Sequence, residues 1–169
     1  RAYCNHLSGY NQVLARRNRL LRQLQERGGD LEQLLFWDQQ AAEHAGYIVA
    51  RRRAALAYLA PAAARVHGQL AGGCEELECN YLPSLWPTAD RLQAIPASAK
   101  EIGDVYRARW RATRAREIAA GATLVGPHRD DLQFRVREHD LQQYGSRGQQ
   151  RTASMALKLA EVEFMQAET

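Results

Sequence analysis

The stretch Gly145-Ser146-Arg147-Gly148-Gln149-Gln150-Arg151 decides how this chain is read. Ser146 stands just before an apolar helical pattern, and Gln149 follows three residues later. That spacing makes a capping box: the serine oxygen accepts the N–H of the third helical residue, and the glutamine reaches back. A helix N-terminus also offers unpaired N–H groups and a partial positive charge. Glycines at 145 and 148 leave the backbone open to close approach, and Ser146, Arg147, Gln149 and Arg151 add donors around it. Together these groups suit a phosphate. The cap and the anion site are compatible, because the hydroxyl can exchange one partner for the other.

Working outward, the helix opened by Ser146 carries Met155, Ala156, Leu159, Val162 and Met165 as an expected buried stripe. Upstream, Ala122 to Val125 reads as a short apolar strand broken by Gly126-Pro127. Leu132, Phe134 and Val136 alternate with polar residues and predict a second strand. Arg137 to Asp140 reads as a turn and Leu141 to Tyr144 as a third strand. Ala99 to Ala120 predicts a helix ended by Gly121, with Ile102, Val105, Tyr106, Trp110 and Ile118 inward. Residues 83–97 hold three of the five prolines and read as loop. Leu77, Cys79 and Tyr81 alternate with Glu76, Glu78 and Asn80, a half-buried strand near 76–82. The first 28 residues read as a helix with Leu7, Tyr10, Val13, Leu14, Leu20, Leu21 and Leu24 at three- and four-residue steps. Gly28-Gly29 stops it, and Asp30 caps a second helix running toward Leu70, which Pro61 is expected to kink or split. Two such helices joined by a glycine turn predict an antiparallel hairpin. The fold class is therefore α+β, mostly helical, with a helical arm and one strand over 1–121, and a strand hairpin and final helix over 122–169.

Composition narrows the function classes. At 169 residues, 46% apolar and 25% charged, the chain is long enough to bury a core. No apolar run approaches the roughly 20 residues of a membrane span, and no apolar segment follows Arg1 as in a signal peptide. Cys4, Cys74 and Cys79 fit neither a disulfide framework nor a zinc site and are expected as reduced thiols. Of 23 basic residues only Lys100 and Lys158 are lysine, and there are 28 alanines, so the net charge of +4 reflects coding bias more than a nucleic-acid surface. The start without Met and the helical pattern running into Thr169 lead us to expect a piece of a longer polypeptide.

Ser146-Arg147-Gly148-Gln149 resembles the ABC-type signature Ser-Gly-Gly-Gln, with Arg147 in place of the first glycine. Upstream, Leu124-Val125-Gly126-Pro127-His128-Arg129-Asp130-Asp131-Leu132 is similar to the corresponding stretch of the RecF family. Gln149-Gln150-Arg151-Thr152 and Ala156 to Glu161 continue the likeness. Weaker echoes occur at Arg17-Asn18-Arg19-Leu20-Leu21, Trp37-Asp38-Gln39 and Leu77 to Ser84. The resemblance implies the second lobe of an SMC/ABC-like P-loop ATPase head. It implies ATP and Mg2+ in a full-length homodimer, where Ser146, Arg147, Gly148, Gln149 and Gln150 complete the partner subunit's ATP site. It also implies binding of gapped or junction DNA, action with RecR and RecO, and a bacterial cytoplasmic, nucleoid-associated location. Roles in DNA replication, recombination and the SOS response follow from the same likeness. No G-x-x-x-x-G-K-[ST] occurs here, and Asp130-Asp131 follow Arg129 rather than an apolar run, so they are not read as a Walker B pair. This chain alone is expected to be catalytically inactive.

Three further features bear on function. Gly126, Pro127, His128, Arg129, Asp130 and Asp131 either position the signature lobe or form a turn held by local bonds. Arg107, Arg111 and Arg114 share one helical face and could meet a DNA backbone, or simply face solvent, as could Arg16, Arg17 and Arg19. No second histidine sits at metal spacing from His128, so no metal site is expected. The competing reading is a stand-alone helical DNA-binding or protein-interaction module whose Ser146 segment is only a cap.

Overall fold

The computed structural model describes residues 1–73, 75–86 and 95–167. Cys74 and residues 87–94 of the expected proline-rich loop lie outside the described residues. In chain order the elements are α1 (Ala2–Arg27), α2 (Gln33–Leu70), β1 (Leu77–Leu82), α3 (Ala99–Ala120), β2 (Asp131–Val136), β3 (His139–Asp140), α4 (Leu141–Tyr144) and α5 (Arg147–Ala167). The architecture is mostly helical with a three-stranded antiparallel sheet of order β1-β2-β3, as expected. None of the described helices is long and apolar enough to cross a membrane. The chain forms two compact units, one from Arg1–Arg52 with Pro83–Asp130, the other from Arg53–Leu82 with Asp131–Thr169.

In the first unit, contacts between α1 and α2 run in opposite sense: Arg17 meets Asp38, His6 meets His44, and Tyr3 meets Arg52. That is the expected hairpin. α3 lies antiparallel to α2, with Arg107 on Gln39 and the Gly46 backbone beside Ala99. A Cβ on Gly46 would stand 2.0 Å from the Ala99 carbonyl oxygen, so this crossing needs glycine. Tyr10, Leu21, Ile48, Ile102, Tyr106 and Trp110 form the buried interior. α3 starts with a full capping box between Ser98 and Glu101 and ends at left-handed Gly121.

In the second unit, β1 and β2 pair Leu77 with Val136, Cys79 with Phe134 and Tyr81 with Leu132. One face is thereby apolar, and Leu77, Cys79, Tyr81 and Val136 are buried. Burial pushes the Cys79 thiol up to about 11, so it packs as a small apolar group. Arg137 and Glu138 form the tight β2–β3 turn, both with positive φ. α2 continues through Pro61 as one helix.

Several expectations need correction. Ala122 to Val125 is not a strand. Its backbone is satisfied by side chains instead: Asn18 accepts the Thr123 N–H, Glu117 accepts the Leu124 N–H, and Trp110 donates to the Val125 carbonyl. Leu141 to Tyr144 is a helical turn, because Asp140 caps it by accepting the Gln142 N–H, and the third strand is His139–Asp140. In α5 the buried line is Ala153, Ala156 and Ala160, while Met155, Leu159, Val162 and Met165 are exposed. Small residues, not the large ones, mark the inward face.

Candidate functional site

Ser146 and Gln149 form the expected reciprocal cap at the start of α5. The Ser146 N–H donates to Gln149 Oε1 at 3.0 Å, and the Gln149 N–H donates to Ser146 Oγ at 3.2 Å. Gln149 Nε2 donates to Glu75 at 2.9 Å, fixing the amide. Gln150 Nε2 donates back to the Leu141 carbonyl at 2.9 Å, tying α5 to α4. Ser146, Arg147, Gly148 and Arg151 are all exposed.

The two glycines differ. A Cβ on Gly145 would stand 2.5 Å from the Leu141 carbonyl oxygen, so the chain's own packing requires glycine there. A Cβ on Gly148 would meet only Ser146 Oγ at 3.8 Å. Nothing among the described residues explains the missing side chain at 148. An open glycine in the first turn of a 21-residue helix, beside a hydroxyl and two arginines, leaves room for an approaching anion. A shallow groove of about 510 Å³ runs along this end, lined by Arg147, Gln150, Arg151, Ser154, Met155 and Lys158. Three of those six side chains are cationic.

The turn over 126–131 is held by its surroundings. Ser84 donates its hydroxyl to the Gly126 carbonyl and accepts the Gly126 N–H, both at 3.0 Å. Arg52 donates to the Pro127 carbonyl at 2.6 Å and lies 3.6 Å from Asp130. Asp130 accepts the Ser84 N–H, and Asp131 accepts the N–H of Leu132 at the start of β2. A Cβ on Gly126 would stand 2.3 Å from the buried Tyr10 hydroxyl. Burial, then the nearby Asp130 charge, raises the Tyr10 pKa far above its usual range. The hydroxyl therefore keeps its proton and donates to His128 Nδ1 at 2.8 Å. Partial burial lowers the His128 pKa, against the opposing Thr123 carbonyl. Arg129 and the outer edge of His128 face solvent.

On α3, Arg107 is engaged by Asp104 and Gln39, and Arg114 pairs with Asp38 at 3.1 Å. Arg111 is exposed. The three arginines share a face, but two of them are spent on carboxylates.

No protein-family model matches the chain. The DNA replication and repair protein RecF of Oceanobacillus iheyensis is 40% identical over 167 residues, 98% of this chain and 44% of that protein. RecF of Heliobacterium modesticaldum is 42% identical over 164 residues, 97% of this chain and 42% of that protein. A solved structure of the recombination mediator protein RecF-ATPrS in the RecFOR pathway superposes with a TM-score of 0.89 at 29% identity, over 99% of this chain and 43% of that one. The RecF-ATP structure of the same pathway gives 0.82 over 97% and 42%. The chain belongs to the RecF family. It spans less than half the length of the curated relatives it matches.

This RecF-family chain also holds a cluster that reasoning from the sequence missed. Arg17, read as meeting a DNA backbone or facing solvent, is instead fully buried. Its Nε donates to Asp38 at 2.8 Å, one terminal nitrogen to Glu117 at 2.7 Å and the other to Thr123 Oγ1 at 2.6 Å. Its guanidinium lies over the Trp110 ring, 5.2 Å from the centroid. The signal was present: Arg17 falls in phase with Tyr10, Val13, Leu20, Leu21 and Leu24. Asp38 likewise follows Leu34, and Glu117 follows Trp110 and Thr113, on the buried faces of α2 and α3.

Proposed function

We propose that this chain is the signature-bearing part of a RecF-type DNA repair and recombination ATPase. In this reading the start of α5 completes the ATP site of a second subunit. Ser146 Oγ leaves the Gln149 N–H and donates to the γ-phosphate held by that subunit. The Gly148 backbone approaches the phosphate, and Arg147 and Arg151 with the helix dipole offset its charge. ATP thereby joins two heads, and hydrolysis parts them. The observation that carries this reading is the open Gly148 beside a capped, exposed Ser146, in a chain whose structural neighbours are RecF in ATP and ATPrS forms.

The P-loop, the Walker B carboxylates and Mg2+ belong to polypeptide outside these 169 residues in this reading. DNA, including gapped or junction DNA, is the substrate surface, with RecR and RecO as partners. Arg111 is the one member of the α3 trio left exposed for a phosphate contact, while the 126–131 turn acts as a brace. The test uses a polypeptide of the relatives' full length. Ser146→Arg should leave ATP binding unchanged and abolish ATP-dependent dimerisation in sedimentation. Unchanged dimerisation overturns the role given to Ser146.

A further inference from the structure

We propose that His6 and His44 form a two-histidine site for a divalent cation of the imidazole-preferring group, such as Ni2+ or Zn2+, joining α1 to α2. The two Nδ1 atoms lie 3.1 Å apart. With metal–nitrogen bonds of about 2.0–2.1 Å, that separation corresponds to an N–M–N angle of roughly 100°, between the square and tetrahedral values. Binding an ion beside the N–N line requires only a small tilt of each ring from the hydrogen-bonded arrangement, with water filling the remaining positions.

The surroundings are shaped for two imidazoles. The His44 ring packs against the backbone of α1 at Gly9, where an added Cβ would stand 2.7 Å from it. His6 stacks on Tyr47 at 4.0 Å between centroids and 13° between planes, which fixes one ring face. The two histidine rings meet edge-on at 5.2 Å. Burial, then His6, lowers the His44 pKa, with Glu43 opposing. Among the described residues no group of three or more His, Cys, Asp or Glu gathers around a metal position. The protein therefore supplies two ligands, and affinity is lower than at a closed four-ligand site. Mg2+ and Ca2+, which prefer oxygen, are excluded. The two imidazoles must give up their mutual hydrogen bond to bind the ion, so the metal replaces a weak link across the hairpin with a stronger one.

The experiment is calorimetric titration and thermal unfolding of the protein with Ni2+ at pH 7.5, with Mg2+ as control. Saturable uptake and a raised Tm are expected for Ni2+ alone. Removing either ligand should weaken affinity at least about ten-fold in both His6→Gln and His44→Gln. His6 lies near the start of α1 and His6→Gln does not disturb the Gly9 packing, so it remains decisive if His44→Gln unfolds. Equal Ni2+ binding by wild type and His6→Gln assigns the ion to His67, His128 or His139 and overturns the proposal. So does absence of saturable binding.

Discussion

At the residue scale, Arg17 is the clearest case of a buried charge with large structural consequences. Its guanidinium satisfies Asp38, Glu117 and Thr123 at once, in an interior where neither carboxylate reaches water freely. Arg17→Ala leaves two buried carboxylates short of their cation, and we expect a loss on the order of 3–5 kcal/mol in urea unfolding. A loss below about 1 kcal/mol would mean that Arg114 and water replace it. The fork geometry also means that Arg17→Lys recovers only part of the loss. His128 gives a pH prediction. Its folded pKa is lowered, so as pH falls through about 6.5 the unfolded state takes up the proton first and stability drops. His44 acts in the same direction. Between pH 7.5 and 5, His128→Asn should show a shallower fall in stability than wild type; an equal slope would assign the titration elsewhere.

At the element scale, the caps separate stability from function. Ser98→Ala at the start of α3 removes one half of a capping box and should cost about 1 kcal/mol. Gly148→Ala is the opposite case. Its Cβ has open space, and alanine favours a helix by up to about 1 kcal/mol, so thermal stability should hold or rise. If Gly148 serves a phosphate from another subunit, the same variant should weaken ATP-driven association. A variant both more stable and fully competent to dimerise would favour the cap-only reading. Much of this level was legible in the sequence. Ala99–Ala120 announced itself through its apolar spacing and Gly121, and β1 through strict alternation. The failures share a cause. Ala122 to Val125 resembles a strand because it is apolar, but its backbone bonds go to Asn18, Glu117 and Trp110, partners about a hundred residues away or on the preceding helix. The large side chains of α5 fit a helical stripe as well as the alanines do, and periodicity alone does not say which face turns inward.

At the scale of the whole molecule, the exposed Met155, Leu159, Val162 and Met165, the open groove beside Arg147 and the match to less than half of each relative describe one situation. In the proposed reading, the chemistry at the start of α5 is a half-site. The 169 residues alone should therefore show no ATP turnover, and measurable hydrolysis abolished by Ser146→Arg would contradict that. DNA affinity in the full-length protein should depend on salt, and Arg111→Ala should lower the slope of log affinity against log salt by about one, whereas Arg107→Ala should act mainly through stability. The candidate site itself was readable from the sequence, because Ser146, Gly148 and Gln149 fall within one four-residue stretch. What the sequence left hidden was which glycine the fold needs for itself, and that distinction singles out Gly148.

The most direct test of the central claim is sedimentation of the full-length protein with ATP, comparing wild type with Ser146→Arg at equal nucleotide occupancy. The account predicts a dimer for wild type and a monomer for the variant. A dimer in both would contradict it.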